Sequence, residues 1–220
     1  MKKEDLYNLI QKQGILPLFY HPDLEVSKKL LQMLYENGIR AVEYTNRGAK
    51  AEANFKALVH WSHENLEEFK LGIGTLKNKA AAASFASIGA DFLVSPGYDE
   101  GVFEVSKETG LLWIPGCMTP TEVMKAESKG LSLVKIFPGN VLTPAMVKAI
   151  KSICPDVAIM ATGGVTPQKE NLEAWFTSGV DIVGMGSQLI RKDLLAKEDY
   201  KTLGELVKKT IQMIQDIRKN

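Results

Sequence analysis

Short runs of β-branched and other apolar residues alternate along the chain with longer stretches in which apolar side chains recur every three or four positions. The first pattern suits buried strands and the second amphipathic helices, and their regular alternation is that of parallel βαβ units. The predicted strands are ILPLFY from Ile15, RAVEYT from Arg40, FKLGIGT from Phe69, DFLVS from Asp91, LLWIP from Leu111, LSLVKIF from Leu131, DVAIMAT from Asp156 and VDIVGMG from Val180. Eight parallel strands make a closed barrel, and 220 residues lie near the lower end of what that fold needs. The expected architecture is therefore α/β, a (β/α)8 TIM barrel forming one domain over residues 1–220, with an extra helix over residues 3–12 before the first strand.

The intervening helices carry their own start and stop signals. EVSKKLLQMLYENG sets Val26, Leu30, Leu31 and Leu34 at helical spacing and closes on Gly38. TPTEVMKAESKG opens with the capping pair Thr119 and Glu122, and Pro144 stands where a first turn favours proline. Near the C-terminus, Leu203, Leu206, Thr210, Ile214 and Ile217 form an apolar stripe. Nothing along the chain reads as a linker or a low-complexity tract.

Composition narrows the function classes. With 45% apolar and 24% charged residues the chain has the make-up of a folded globular protein. Its 27 Lys and Arg against 26 Asp and Glu supply no general field for nucleic acid or an anionic membrane, so any anion site is local. The opening MKKEDLYNLIQKQG lacks the apolar stretch of a signal peptide, and no run long enough to span a bilayer occurs, which leads to the expectation of a cytoplasmic protein. Cys117 and Cys154 have no short pair spacing and are expected to be reduced. His60 and His63 fall at i and i+3 on an amphipathic segment with no third ligand in view, and His21 stands apart, so neither a metal nor another cofactor is expected.

Gly-, Pro-, Ser- and Thr-rich loops follow the strands, and in a barrel those strand ends form the one face on which active sites are built. Within the sixth strand, period two puts Lys135 with Leu133 and Phe137 on one face and Val134 with Ile136 on the other. An inward Lys135 would be desolvated, which disfavours its charged form and leaves an amine able to attack a ketone. A solvent-facing edge lysine is the plainer alternative, but a closed barrel has no edge. The second strand sets Glu43, Thr45 and Arg47 on one parity. Glu43 could carry protons beside the lysine and Arg47 could hold a substrate carboxylate in a two-point fork, whereas a plain Glu43–Arg47 ion pair is the other reading. Glycine turns TGG at 162–164 and GMGS at 184–187 follow the last two strands, where barrel enzymes commonly bind phosphate through backbone N–H groups and helix N-termini. GIGT at 72–75 begins like a dinucleotide fingerprint, but Lys77 stands where the third glycine belongs, so that reading is set aside.

In order and spacing, EYTNR, GIGT, SPG, PGCMTPTE, VKIFPG, ATGGV and GMGS resemble the 2-keto-3-deoxy-6-phosphogluconate and 4-hydroxy-2-oxoglutarate aldolase family, over about residues 6–211. The resemblance implies a homotrimeric barrel acting on a 2-keto acid and pyruvate, with Lys135 forming the Schiff base and Glu43 acting as general acid and base. It implies that Arg47 and Thr75 hold the pyruvate carboxylate, that Pro96, Phe137 and Thr162 line the substrate site, and that Gly163, Gly164, Gly186 and Ser187 form the phosphate-binding turns. The chain departs from the phosphogluconate pattern at Gly139-Asn140, at Thr143-Pro144 and at Tyr20-His21 after the first strand. These departures spare the catalytic positions and leave the acceptor aldehyde and its phosphate open. An isomerase or synthase on a phosphate-binding barrel would use the glycine turns without an inward lysine, and a non-catalytic sugar-acid binding protein would need neither Lys135 nor Glu43.

Overall fold

In the computed structural model, which describes residues 2–219, the chain runs α1 (Lys3–Gln13), β1 (Ile15–Phe19), α2 (Leu24–Glu36), β2 (Ala41–Thr45), α3 (Ala51–Asn65), β3 (Lys70–Gly74), α4 (Lys79–Ile88), β4 (Phe92–Val94) and α5 (Glu100–Thr109). It continues through β5 (Leu112–Ile114), β6 (Gly116–Cys117), α6 (Pro120–Ser128), β7 (Leu133–Ile136), α7 (Pro144–Ile153), β8 (Ala158–Thr162), α8 (Lys169–Thr177), β9 (Ile182–Met185), α9 (Lys192–Leu195) and α10 (Tyr200–Ile217). All strand pairings are parallel, in the order β5-β4-β3-β2-β1-β9-β8-β7-β6.

Because β5 and β6 follow one another across Pro115, they are two halves of one stave, one paired to β4 and the other to β7. Pro115 has no N–H for a ladder bond, yet its carbonyl accepts from Lys135 N at 2.8 Å. The barrel therefore closes through eight staves, the fifth of them broken at a proline. The fifth predicted strand ends at Pro115, but the stave continues because Gly116 and Cys117 pair with Lys135 and Ile136.

Period two along each strand divides the core. Helix-facing residues such as Val42, Tyr44, Leu71, Ile73, Val134 and Ile136 belong to a large outer cluster between sheet and helices. Inward residues, among them Leu16, Ala41, Phe92, Leu112, Leu133 and Ile182, form a smaller inner cluster that also contains Leu6 and Ile10 of α1. Thus the extra N-terminal helix closes the bottom of the barrel. Gln13 at its end fixes the seal, since its Oε1 accepts from Arg40 N and Ala41 N at 2.7 and 3.1 Å while its Nε2 donates to Ala41 O at 3.0 Å. The capping signals are also realised: Thr119 Oγ1 accepts from Glu122 N, and Glu122 Oε2 accepts from Thr119 N, at the start of α6.

With the bottom plugged, only the C-terminal ends of the strands open to solvent. Ile10 is fully buried, so Ile10→Ala is expected to lower unfolding free energy by about 2–5 kcal/mol in a urea titration.

Candidate active site

Moving up the barrel axis, the inward side chains change from apolar to polar. Above the layer of Leu16, Ala41 and Leu133, the next inward positions on β2, β7 and β8 are Glu43, Thr45, Lys135 and Thr162, all buried. A buried ion costs several kcal/mol unless it is paired and hydrogen-bonded. Here the pairing is incomplete. Lys135 Nζ lies 3.8 Å from Glu43 Oε2, beyond hydrogen-bond reach. Both Glu43 oxygens and Thr162 Oγ1 lack any hydrogen-bond partner. Three unpartnered buried polar atoms around an amine mark a chamber shaped for something polar to enter.

Desolvation pushes the Lys135 ammonium below the ordinary lysine value; the Glu43 carboxylate opposes that shift and the Arg47 charge adds to it. Burial wins because Lys135 is enclosed on every side, with the Phe137 ring centroid 5.2 Å from its Nζ. A Glu43–Arg47 ion pair is not formed: the cation facing Glu43 is Lys135, and the exposed Arg47 donates from Nε to Thr75 Oγ1 at 3.2 Å. Thr75 holds φ of 64°, a left-handed backbone that costs a β-branched residue about 1–3 kcal/mol. Its bond to Arg47 keeps guanidinium and hydroxyl together at the barrel mouth.

Apart from Gly163 and Gly164, the remaining sequence-derived candidates fall into two groups. Pro96 reaches the site through its backbone, packing so closely on Gly116 of β6 that a β-carbon there would overlap it; Gly116 pairs directly with Lys135. The other group, Gly186 and Ser187, lines a cavity of about 710 Å³ together with Tyr20, His21, Thr45, Arg47 and Lys192. A second depression of about 640 Å³ sits on the outer wall between α2, α3 and α10, and no strand contributes to it.

Packing also accounts for glycine at 163 and 164. Both have positive φ, 93° and 71°, and a β-carbon on Gly164 would stand 2.9 Å from Asn140 Cα. Gly139 N donates to Thr162 O at 2.7 Å, so the 139–140 loop lies directly against this turn. Their lack of side chains is set by that loop. Nor does the turn open a helix, since α8 begins at Lys169, and α9 after Gly186-Ser187 has only four residues. The helix-dipole part of the anion argument therefore does not hold for either turn.

Sequence reasoning passed over three contributors. In the sequence His21 is a lone histidine and a departure from the family pattern, and Lys192 carries no local signal seven residues after the last strand, yet both wall the cavity. Gly184 was seen as part of a turn, but a β-carbon on it would overlap Thr162 Oγ1. Cys117 and Cys154 are both buried and free, and burial pushes the Cys117 thiol up to about 12. Among the described residues no three His, Cys, Asp or Glu side chains converge as a metal site would require, and no helix is long and apolar enough to cross a membrane.

A desolvated amine facing a carboxylate at the open end of an α/β barrel is the equipment of an imine-forming lyase. The comparison with known proteins carries this to a family: the family described as KDPG and KHG aldolase matches residues 6–206, and the chain belongs to it. It is 32% identical over 146 residues to the 2-dehydro-3-deoxy-6-phosphogalactonate aldolase of Escherichia coli K12, covering 66% of this chain and 70% of that one. Over 200 residues, 90% of this chain and 89% of the relative, it is 30% identical to the 2-dehydro-3-deoxy-phosphogluconate aldolase of Pseudoalteromonas atlantica. Among solved structures it superposes with a TM-score of 0.82, at 24% identity and 91% and 95% coverage of the two chains, on KDPG aldolase from Legionella pneumophila with pyruvate captured at low pH as a covalent carbinolamine intermediate. The protein is thus an aldolase on a TIM-barrel fold.

Lys135→Met, which fills similar space without a nucleophile, is expected to fold normally and to lose all borohydride trapping with pyruvate. In the parent, the neutral amine exists above its pKa, and the lowered pKa extends it to lower pH. The acid limb of the trapping rate should therefore lie well below the ordinary lysine value, and a limb at that value would contradict the burial argument.

Proposed function

We propose that the protein cleaves a phosphorylated 2-keto-3-deoxy sugar acid to pyruvate and a phosphorylated aldehyde, using Lys135 as the imine-forming nucleophile and Glu43 as the proton carrier. The observation that carries the reading is the 3.8 Å gap between the buried Lys135 amine and the unpartnered Glu43 carboxylate.

Lys135 Nζ adds to the C2 ketone, and the carbinolamine loses water, its departure assisted by a proton from Glu43. The resulting iminium withdraws the C3–C4 bonding electrons once Glu43 removes the C4 hydroxyl proton. That bond breaks, C4 becomes the carbonyl carbon of the leaving aldehyde, and the electron pair becomes an enamine. Glu43 returns the proton to C3, and water releases pyruvate from Lys135. Positioned proton transfer of this kind contributes roughly 10²–10⁴-fold in rate. Arg47 and Thr75 hold the C1 carboxylate at the mouth, and Thr162, whose hydroxyl is unpartnered, takes a substrate hydroxyl. Pro96 and Phe137 pack beside the reacting carbons.

For the acceptor end, support comes from the cavity walled by His21, Arg47, Ser187 and Lys192. It offers side-chain cations as well as the Gly186–Ser187 backbone to an anion. Gly163 and Gly164, which pack against Asn140, have only backbone to offer an anion. The relatives named for phosphogluconate and phosphogalactonate substrates differ in the configuration at C4, and this chain resembles both. The whole chain is read as one catalytic domain working in the cytoplasm. The exposed Met118, Met124 and Val141 fit a surface that other copies would cover in a homotrimer.

The test compares kcat/KM for phosphorylated 2-keto-3-deoxy acids of both C4 configurations, their unphosphorylated analogues and 4-hydroxy-2-oxoglutarate. At least a tenfold preference for a phosphorylated acid is expected, about the 1.4 kcal/mol that one anion contact supplies, and Lys192→Met should erase most of it. Equal values across the panel, or a preference for 4-hydroxy-2-oxoglutarate, would replace the sugar-phosphate assignment with a short acceptor such as glyoxylate.

A further inference from the structure

The two glycines of GIGT, so close to a nucleotide fingerprint in the sequence, face the barrel interior on β3 and do different things there. A β-carbon on Gly72 would overlap the ring of Phe92, so that glycine makes room for a core aromatic. A β-carbon on Gly74 would overlap the Glu43 carboxylate and stand 2.7 Å from Glu43 Cγ. In the β2–β3 register Glu43 is paired with Gly72 and Thr45 with Gly74. The Glu43 side chain therefore leans along its strand toward the open end and lies across the place where residue 74 would carry a side chain. β2 and β7 stand on opposite sides of the barrel, so the carboxylate has to extend over β3 to stop 3.8 Å from Lys135.

We infer that Gly74 is a positioning residue for the aldol chemistry: its missing side chain sets where the Glu43 carboxylate rests relative to Lys135. This rests on the proposed role of Glu43 and deepens it. Gly74 is not among the glycines with positive φ, so its backbone accepts alanine and space is the only constraint. The colliding atoms are the far end of a flexible side chain. Alanine at 74 consequently moves the carboxylate and leaves the barrel in place. No bond within β3 depends on the substitution, and Gly184 repeats the arrangement across the chamber, where a β-carbon would overlap Thr162 Oγ1.

The test uses pyruvate alone and follows exchange of its methyl protons with deuterated water, a step that needs the imine and the proton carrier but no acceptor aldehyde. Gly74→Ala should melt within a few degrees of the parent and keep its KM for pyruvate, while kcat for exchange falls about 100-fold, as a displacement near 1 Å of a reacting group does. The same substitution placed in Glu43→Ala, which has no atom beyond the β-carbon and so clears residue 74, should cost only about twofold of the residual exchange beyond Glu43→Ala itself, which is the ordinary departure from additivity. Equal losses in the two backgrounds, or no loss with Glu43 present, would overturn the inference. Should Gly74→Ala fail to fold, Glu43→Ala/Gly74→Ala folds if the collision is with the carboxylate, and failure there too places the fault in the backbone and overturns it. If the parent exchanges no protons and traps no pyruvate, the proposed function falls first and this inference with it.

Discussion

A lysine and a glutamate held face to face, buried but not in contact, are the constraint around which this barrel is arranged. A charge in an apolar interior is tolerated when it is paired closely and hydrogen-bonded; at 3.8 Å, with both carboxylate oxygens unpartnered, this pair is not. The cost must be carried by the rest of the fold. A continuous outer cluster between staves and helices, and an inner one sealed by Leu6 and Ile10, supply the apolar burial that does so. Loss of the seal would wet the chamber from below. Water there would pair the carboxylate and raise the dielectric around Lys135, and the desolvation that lowers its pKa would diminish.

The same tension explains why small residues gather around the pair. A barrel interior is normally filled by layers of side chains, yet Gly72, Gly74, Gly184 and Gly186 occupy inward places on β3 and β9 or at their ends. Two of these spaces are taken by the ends of buried polar side chains, Glu43 beside Gly74 and Thr162 beside Gly184. The chamber is thus emptied toward its open end and kept solid below, so the polarity gradient along the axis is built from residue size as much as from residue type.

Much of this was legible in the sequence because a closed parallel barrel obeys one simple periodicity. Once Val134 and Ile136 are placed against helices, Lys135 has to point inward, and the same parity sets Glu43 and Thr45 opposite it. What failed to show were contacts between residues far apart in the chain. The 139–140 loop lying on Gly163 and Gly164 is one such contact, and nothing local in TGG announces it. Gly116 and Cys117 read as loop, since proline at 115 hides a stave that continues by pairing with β7. Lys192 lies within a short, polar, locally featureless segment and gains meaning only from the cavity it walls. GIGT lacks the third glycine of a nucleotide fingerprint; that its second glycine faces a carboxylate on the neighbouring strand is a matter of register, which local pattern does not encode.

The site also divides by the kind of structure that carries it, and that division has consequences for specificity. Lys135, Glu43, Thr45 and Thr162 stand on strands hydrogen-bonded on both sides, where a shift of one residue would require re-registering the sheet. On the proposed reading these residues act on the pyruvate portion common to every 2-keto acid substrate. The walls around the acceptor come instead from the segment after β1 and the segment between β9 and α10, with Tyr20, His21, Ser187 and Lys192 on irregular backbone or a four-residue helix. Such segments change length and side chain without disturbing a core. The departures of this chain from the phosphogluconate pattern lie in such segments, at Tyr20-His21, Gly139-Asn140 and Thr143-Pro144, and none lies on the strands that carry the amine and the carboxylate. On that reading, a barrel so partitioned can exchange one aldehyde for another while the strands that carry Lys135 and Glu43 keep their register.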